Sequence, residues 1–487
     1  MKNSGMNRRD FLRVGGMSTL ALTLGSTGLF SLGGQASILA AEGKANNPTS
    51  GAGGYGPLVK DPMGFLDLPQ GFQYKIISTT GQPMANGNGD LVPGLLDGMA
   101  AYQGAKNTTI LVRNHECGTN HQFPVNGKNP WSKGAAGGTT ALIVTPDREV
   151  VEEYVTNSGN IRNCAGGAST WGTWLTCEET REMGHGFVFE VNPLDPENEM
   201  SRTPIRDMGY FSHEACSVDP STGIWYLTED SEPSFLYRFT PHNRSQKLGS
   251  LQEGGILEAA ALDELPNNSA SNFTPGQTVG VVWKQVNPER AKEDARDLGC
   301  IRFTRLEGSW FGGGALWFDD TSARTTTASG RFGRVYRYFP ATNTLELFFE
   351  SQDTNQLHAP DNVTITPWGD LWIAEDGNPR GDRIIGLTPE GNVYEFAQNV
   401  FNNSEFAGVC FSPDGKTMFV NMQSPGFTIA VWGPFARRNS ARQFSMSHAA
   451  PPAGFAPQIS DKVAQYAEEK GISPLAAAVL DRHGVTI

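Results

Sequence analysis

The sequence predicts an all-β chain folded as a β-propeller, on three observations. Short β-branched or aromatic runs alternate with turns rich in Pro, Asp, Asn and Gly, in a chain holding 57 Gly, 30 Pro and 10% aromatic residues. That is the composition of many short strands. Helix signals are few, and one turn-plus-strand plan recurs at a spacing suited to propeller blades.

The plan is carried by four segments: Thr170 to Glu179, Asp219 to Asp230, Thr366 to Asp376 and Ser412 to Met422. Aligned on Gly172, Gly223, Gly369 and Gly415, the residue six places later is Glu178, Glu229, Glu375 or Asn421. A turn therefore feeds an aromatic strand that ends in acid. Looser copies run from Gly313 to Asp320 and from Thr109 to Glu116. The spacings of 51 residues (Gly172 to Gly223) and 46 (Gly369 to Gly415) match four-stranded blades. Six blades fit the length best, with seven as the alternative, over a propeller domain of 57–440.

Outside the repeats, three regions read differently. Residues 1–41 look like a twin-arginine signal segment: Arg8-Arg9 is followed by Phe11-Leu12-Arg13, a moderately apolar stretch, and small residues at Ala36 and Ala40-Ala41. Six glycines from Gly15 to Gly34 interrupt that stretch, so it does not read as a membrane anchor. Residues 42–56 form a Gly/Asn/Ser-rich spacer, and the tail 441–487 carries a helix pattern from Ser460 to Arg482. The poorly patterned stretch from Leu251 to Gly299 reads as loops or a cap over one face.

Charge and cysteine content narrow the function. With 38 basic and 51 acidic residues the net charge is −13, which leaves no electrostatic footprint for nucleic acid and favours binding of hard cations. The six cysteines lie far apart without a CxxC pair, so no disulfide framework is expected and some thiols remain available as soft ligands. Several familiar motifs fail. Asp414-Gly415-Lys416-Thr417 lacks the earlier glycine of a phosphate loop, neither His115-Glu116 nor His213-Glu214 is followed by the second His of a zincin, and no Gly-x-Ser-x-Gly elbow occurs.

What remains is oxygen-rich: Asn114-His115-Glu116, Cys177-Glu178-Glu179, Ser212-His213-Glu214, Arg305-Leu306-Glu307-Gly308, Pro360-Asp361-Asn362 and Glu375-Asp376-Gly377, with Asn163-Cys164-Ala165-Gly166-Gly167 among them. Carboxylates at one repeat position converge around a propeller channel, and several cannot stay ionised together unless cations neutralise them. Cys164 adds a soft donor, which suggests a mixed site. Arg305 and Glu307, two residues apart, share a face of an extended strand. The plainer reading is a structural ion pair, and the functional one is a guanidinium fork for phosphate beside a metal-binding carboxylate.

As an ordered set these motifs, with the twin-arginine start and Leu227-Thr228-Glu229-Asp230, resemble the PhoX-type alkaline phosphatases from about Leu66 to Val431. The resemblance implies a six-bladed propeller that hydrolyses phosphate monoesters at an oxo-bridged cluster of Fe³⁺ and Ca²⁺. It implies Cys164 as the thiolate on iron, Glu214 and Glu307 as bridging carboxylates, Arg305 as the phosphate ligand, and Glu116, Glu179, Asp361, Glu375 and Asp376 as further metal ligands. An exported monomer is expected, delivered folded through the Tat translocase to the periplasm or beyond. Two alternatives stand beside it: a calcium-dependent propeller lactonase, with one ion and no role for Cys164, and a non-enzymic binding propeller stapled by calcium.

Overall fold

The computed structural model describes residues 54–196, 198–263, 268–321, 333–353 and 355–435. The signal segment, most of the spacer and the C-terminal helix pattern lie outside them. Within them the chain is almost entirely antiparallel strands, arranged as a β-propeller of six successive meanders.

The innermost strands are Leu96–Gln103, Asn163–Ala168, His213–Val218, Leu306–Gly312, Pro360–Ile365 and Phe406–Phe411. Each packs beside the next, and the last returns to the first, so they close a ring about one axis. The sixth meander takes its outermost strand, Gln73–Thr79, from the N-terminal side of the domain, pairing Thr79 with Phe427 and Gln73 with Trp432. That shared sheet closes the ring with backbone hydrogen bonds and leaves no free seam. The fifth meander recruits Leu66–Pro69 at its outer edge in the same way.

Buried aliphatic and aromatic side chains fill the interfaces between meanders. One cluster joins the second and third through Trp171, Leu175, Phe211, Cys216 and Trp225, and another joins the third and fourth through Tyr226, Phe303, Phe318 and Tyr336. The stretch expected to be loops or a cap is instead built into the sheet. Gly255–Leu262 is the fourth strand of the third meander, and Thr278–Gln285 follows it and pairs with Thr344–Glu350, fusing the third and fourth meanders into one ladder. The alternating pattern of Thr278–Gln285, half exposed and lysine-containing, is that of a strand solvated on one face. The short helix Ala291–Asp297 follows, the only α-helix among the described residues.

Polar struts then lock the ring where the inner strands begin. The Asn114 amide donates to the carbonyls of Cys164 and Ala165 at 3.0 and 2.7 Å, the Thr228 hydroxyl to Glu307 at 2.6 Å, and the Asn421 amide to Asp97 at 2.6 Å. Each strut crosses from one meander to the next, so the backbone of the strand entrances is held by its neighbour.

Candidate metal and phosphate site

Every inner strand carries the same irregularity near its start. The pairing register shifts between Leu96 and Met99, Asn163 and Gly166, His213 and Cys216, Leu306 and Ser309, Pro360 and Val363, and Ala407 and Cys410. A β-bulge breaks strict alternation and re-aims a side chain, and such bulges collect beside active sites. Here the residue in each of the first five bulges is Asp97, Cys164, Glu214, Glu307 or Asp361, and all five line one cavity on the axis. The close approach also demands small residues. A Cβ on Gly308 would stand 2.4 Å from the Asp361 carbonyl, and one on Gly408 2.4 Å from that of Asp97.

The neighbouring strand of each meander supplies a second ring. Glu116, Glu179, Asp230, Thr321, Asp376 and Gln423 each donate a backbone N–H to the residue that opens the inner strand: Leu95, Arg162, Ser212, Arg305, Ala359 and Glu405. All six line the same cavity, of about 260 Å³, together with Arg162, Arg305 and Glu405. Four of the opening residues hold left-handed backbone, Leu95 at φ 46°, Arg162 at 54°, Arg305 at 56° and Ala359 at 43°. Non-glycine residues are rarely found there, and such conformations concentrate at functional sites.

Of the residues singled out in the sequence, Cys164, Glu214, Glu307, Glu179, Glu116, Asp361, Asp376 and Arg305 therefore meet in one place. Glu375 does not line the cavity. Its carboxylate accepts from Arg383 Nε and Nη2 at 2.8 and 2.6 Å, from the His358 amide at 2.7 Å and from Asn378 at 3.0 Å. The earlier acids of the other pairs behave alike. Glu178 is fully buried and bonded to His185 at 2.7 Å, and Glu229 pairs with Lys292 at 3.0 Å. Successive strand residues point to opposite faces, so only the second member of each pair reaches the axis. Six lining residues were not on the sequence-based list: Asp97, Arg162, Asp230, Thr321, Glu405 and Gln423.

Electrostatics fix what the cavity can hold. Nine carboxylates and one thiol face two guanidinium groups. Burial, reinforced by Glu116 and Asp361, pushes Asp97 well above the usual carboxylate range. Burial likewise raises Glu214 beside Asp361, Glu307 beside Asp230, and Glu405 beside Asp376. Glu179 and Asp361 are pushed up to about 8. The Cys164 thiol, buried with Asp97 and Glu214 next to it, is also held well above its ordinary value. Each ion removed from water costs several kcal/mol unless opposite charge compensates it. Two arginines cannot balance nine acids, so the arrangement fits bound cations.

The donors fall into four overlapping triads whose atoms lie within 4.8 Å of one another: Asp97, Glu116 and Cys164; Cys164, Glu179 and Glu214; Glu214, Glu307 and Asp361; Asp361, Asp376 and Glu405. Cys164, Glu214 and Asp361 each belong to two. One Asp97 oxygen is buried without a hydrogen-bond partner, an acceptor suited to a cation. Hard oxygen donors suit Ca²⁺, and the sulfur of Cys164, 3.4 Å from Glu214 Oε1 and 3.7 Å from Asp97 Oδ2, suits a softer metal.

Arg305 sits at the edge of this set. Its Nε and Nη2 form a fork on Asp230 at 2.8 Å each, and Nη2 lies 3.1 Å from Glu307. The structural ion pair is thus present, and it fixes the guanidinium plane beside the triads. Those acids hold Arg305 firmly in its charged form. His213 does not line the cavity. Its ring packs 3.7 Å from that of Phe211, bonds the Gly209 carbonyl, and burial lowers it to about 3.

A larger cavity, about 540 Å³, lies at the opposite ends of the inner strands, against Gly167, Ser217, Trp310 and Ile365. Its acid, Asp219, is occupied by Ser221 and Thr222 of its own turn. It lacks the convergence of titratable groups that marks the smaller one.

A family model described as alkaline phosphatase PhoX matches residues 53–426. Among solved structures, PhoX of Pseudomonas fluorescens in complex with vanadate, a transition-state analogue, is similar at 18% identity with a TM-score of 0.60, over 76% of this chain and 96% of that one. A gluconolactonase of Xanthomonas campestris is similar at 11% identity and a TM-score of 0.40, over 79% of this chain and all of the other. No curated protein sequence matches.

Proposed function

Since this chain belongs to the alkaline phosphatase PhoX family, and is thereby a phosphatase, we propose that it hydrolyses phosphate monoesters at a mixed Fe³⁺/Ca²⁺ cluster held on the propeller axis. The observation that carries this reading is the repeated bulge that turns Asp97, Cys164, Glu214, Glu307 and Asp361 into one cavity beside Arg305. Cys164 would hold iron, with Glu214 and Glu307 shared between cations and Asp97, Glu116, Glu179, Asp361, Asp376 and Glu405 completing the oxygen donors. A thiol set among these acids separates the reading from a lactonase with a single calcium ion. The complex of the Pseudomonas relative with vanadate, a transition-state analogue, supports reading this cavity as a phosphate site.

When bound, the cations supply Lewis-acid polarisation of the phosphoryl oxygens and activation of an oxygen nucleophile. The chain's own part is to bind and orient. Arg305, anchored on Asp230, receives a non-bridging phosphate oxygen and offsets the charge that builds there, without reorganising as the reaction proceeds. Among the described residues that line the cavity there is no histidine, and Thr321 is the one hydroxyl side chain, so no serine–histidine or cysteine–histidine nucleophile pair is present. Export by the Tat route rests on Arg8-Arg9 and the signal pattern that follows. It would let the cluster and its thiol ligand assemble in the reducing cytoplasm.

The test is turnover of a chromogenic phosphate monoester by protein purified through its export route. Activity is expected to disappear on chelation and to return when calcium is restored. Full turnover in chelator by protein stripped of metal would refute the proposal.

A further inference from the structure

Arg305 has a counterpart in the propeller repeat. Arg162 opens the inner strand of the second meander as Arg305 opens that of the fourth, with left-handed φ values of 54° and 56°. Its backbone N–H donates to the Cys117 carbonyl, as that of Arg305 donates to Ser231. Its carbonyl accepts from Glu179, as that of Arg305 accepts from Thr321. The side chains repeat the pattern as well. Arg162 Nη2 reaches back to Glu116 of the preceding meander at 2.6 Å and also bonds Glu179, as Arg305 Nη2 bonds Asp230 of its preceding meander and Glu307. The other four opening residues, Leu95, Ser212, Ala359 and Glu405, are not basic.

The two differ from the arginines that serve the fold. Arg113, Arg334 and Arg383 pair with acids inside the meanders with side chains 0%, 2% and 4% exposed. Arg162 and Arg305 are 43% and 27% exposed and line the cavity. The bonds that hold them use Nε and Nη2: in Arg305 both engage acids, and in Arg162 Nη2 pairs with Glu116 and Glu179 while Nε donates to the Glu179 main-chain carbonyl, so Nη1 of each remains outside those bonds. A guanidinium fixed along one edge is preorganised to offer its remaining donors to a tetrahedral anion. The meander that carries Glu214, the acid shared by two of the triads, lies in the ring between the two that these arginines open.

We infer that Arg162 is a second phosphate-binding residue, reaching the same phosphoryl group as Arg305 from two meanders away around the ring, so that the site is a two-arginine clamp. This rests on the phosphatase reading above. The clamp accounts for a base being kept at the second meander although Glu116 and Glu179 could be neutralised by cations alone. It also makes the site selective for a dianionic group with several free oxygens. A diester, with one anionic charge to share, gains less from the second arm.

The experiment compares Arg162→Gln and Arg162→Lys holoenzymes with the parent, measuring inhibition by inorganic phosphate and by vanadate, KM and kcat, and bound metal. Metal content should match the parent in both. The inhibition constant for phosphate should rise at least about tenfold in both, because lysine keeps the charge without the fork. If Arg162→Gln fails to fold, the lysine variant alone carries the test. Unchanged phosphate inhibition in a metal-replete variant overturns the clamp, as does a loss of affinity that merely tracks loss of metal, which is what a purely structural arginine would produce. Arg305→Gln measured in parallel keeps the two readings apart. If it too leaves phosphate inhibition unchanged, the phosphatase assignment of this cavity falls; if it alone has an effect, only the second arm does.

Discussion

Replacing Cys164 with serine is expected to remove iron and any iron-thiolate absorption from the protein, and to lower kcat/KM on the order of 10³-fold. Lewis-acid stabilisation by one cation contributes several kcal/mol, and about 4 kcal/mol corresponds to that factor. The substitution is nearly isosteric and Cys164 stands in a bulge whose backbone is held by Asn114, so the fold should persist. Serine replaces the thiolate by a far less acidic hydroxyl that remains protonated and binds iron weakly, and calcium at the purely oxygen triads should be retained. Elemental analysis and the visible spectrum of the variant check this directly. Iron retained at parental stoichiometry, with its colour, would remove Cys164 from the ligand set.

Arg305→Gln should show the complementary pattern, with metals present and chemistry slowed. Losing one preorganised charged donor to the developing phosphoryl charge typically costs about 10² to 10³ in rate. Here the fork on Asp230 and the contact with Glu307 hold that donor in place. Lysine should not rescue it, since a point charge cannot keep two bonds to Asp230 while reaching phosphate. Steady-state kinetics beside metal analysis separate the cases. Normal turnover with intact metals would reduce Arg305 to the structural ion pair that the sequence also allowed.

The propeller was legible because its turns and aromatic strands repeat, and the second strands at Trp174–Glu178, Trp225–Glu229 and Leu371–Glu375 lie where the repeats put them. The ring of acids was legible only to within one residue. Aligning on the turn glycine selects Glu178, Glu229 and Glu375, whereas the alternation of a strand sends those into the meander and Glu179, Asp230 and Asp376 to the axis. In the last repeat the same spacing selects Asn421. The ladder instead sets Met422 opposite the opening of the inner strand, and Gln423 lines the cavity.

Asp97 was harder to find because a bulge decides where it points and leaves little trace in composition, and Arg162 and Glu405 because they open inner strands, just ahead of the bulges and outside the repeated turn-and-strand plan. One signal was present. Asp97-Gly98 and Glu307-Gly308 put glycine directly after the bulged acid, where the next inner strand passes too closely for a side chain. Aligning the inner strands on that pair, rather than the outer ones on their turn glycine, would have drawn in Asp97 and, two residues before Cys164, Arg162. The stretch from Leu251 to Gly299 was misread for a different reason. Its strand Thr278–Gln285 bridges two meanders at the periphery, so it has neither the buried aromatic run nor the terminal acid that marks the repeats.

The central claim is that the acids and the thiol on the axis exist to hold cations, and the most direct measurement is the metal content per chain of protein purified active from its export route. Iron together with more than one calcium ion per chain, lost in parallel with phosphatase activity, is the predicted result. A protein that hydrolyses phosphate monoesters at full rate with less than one metal ion per chain would contradict it.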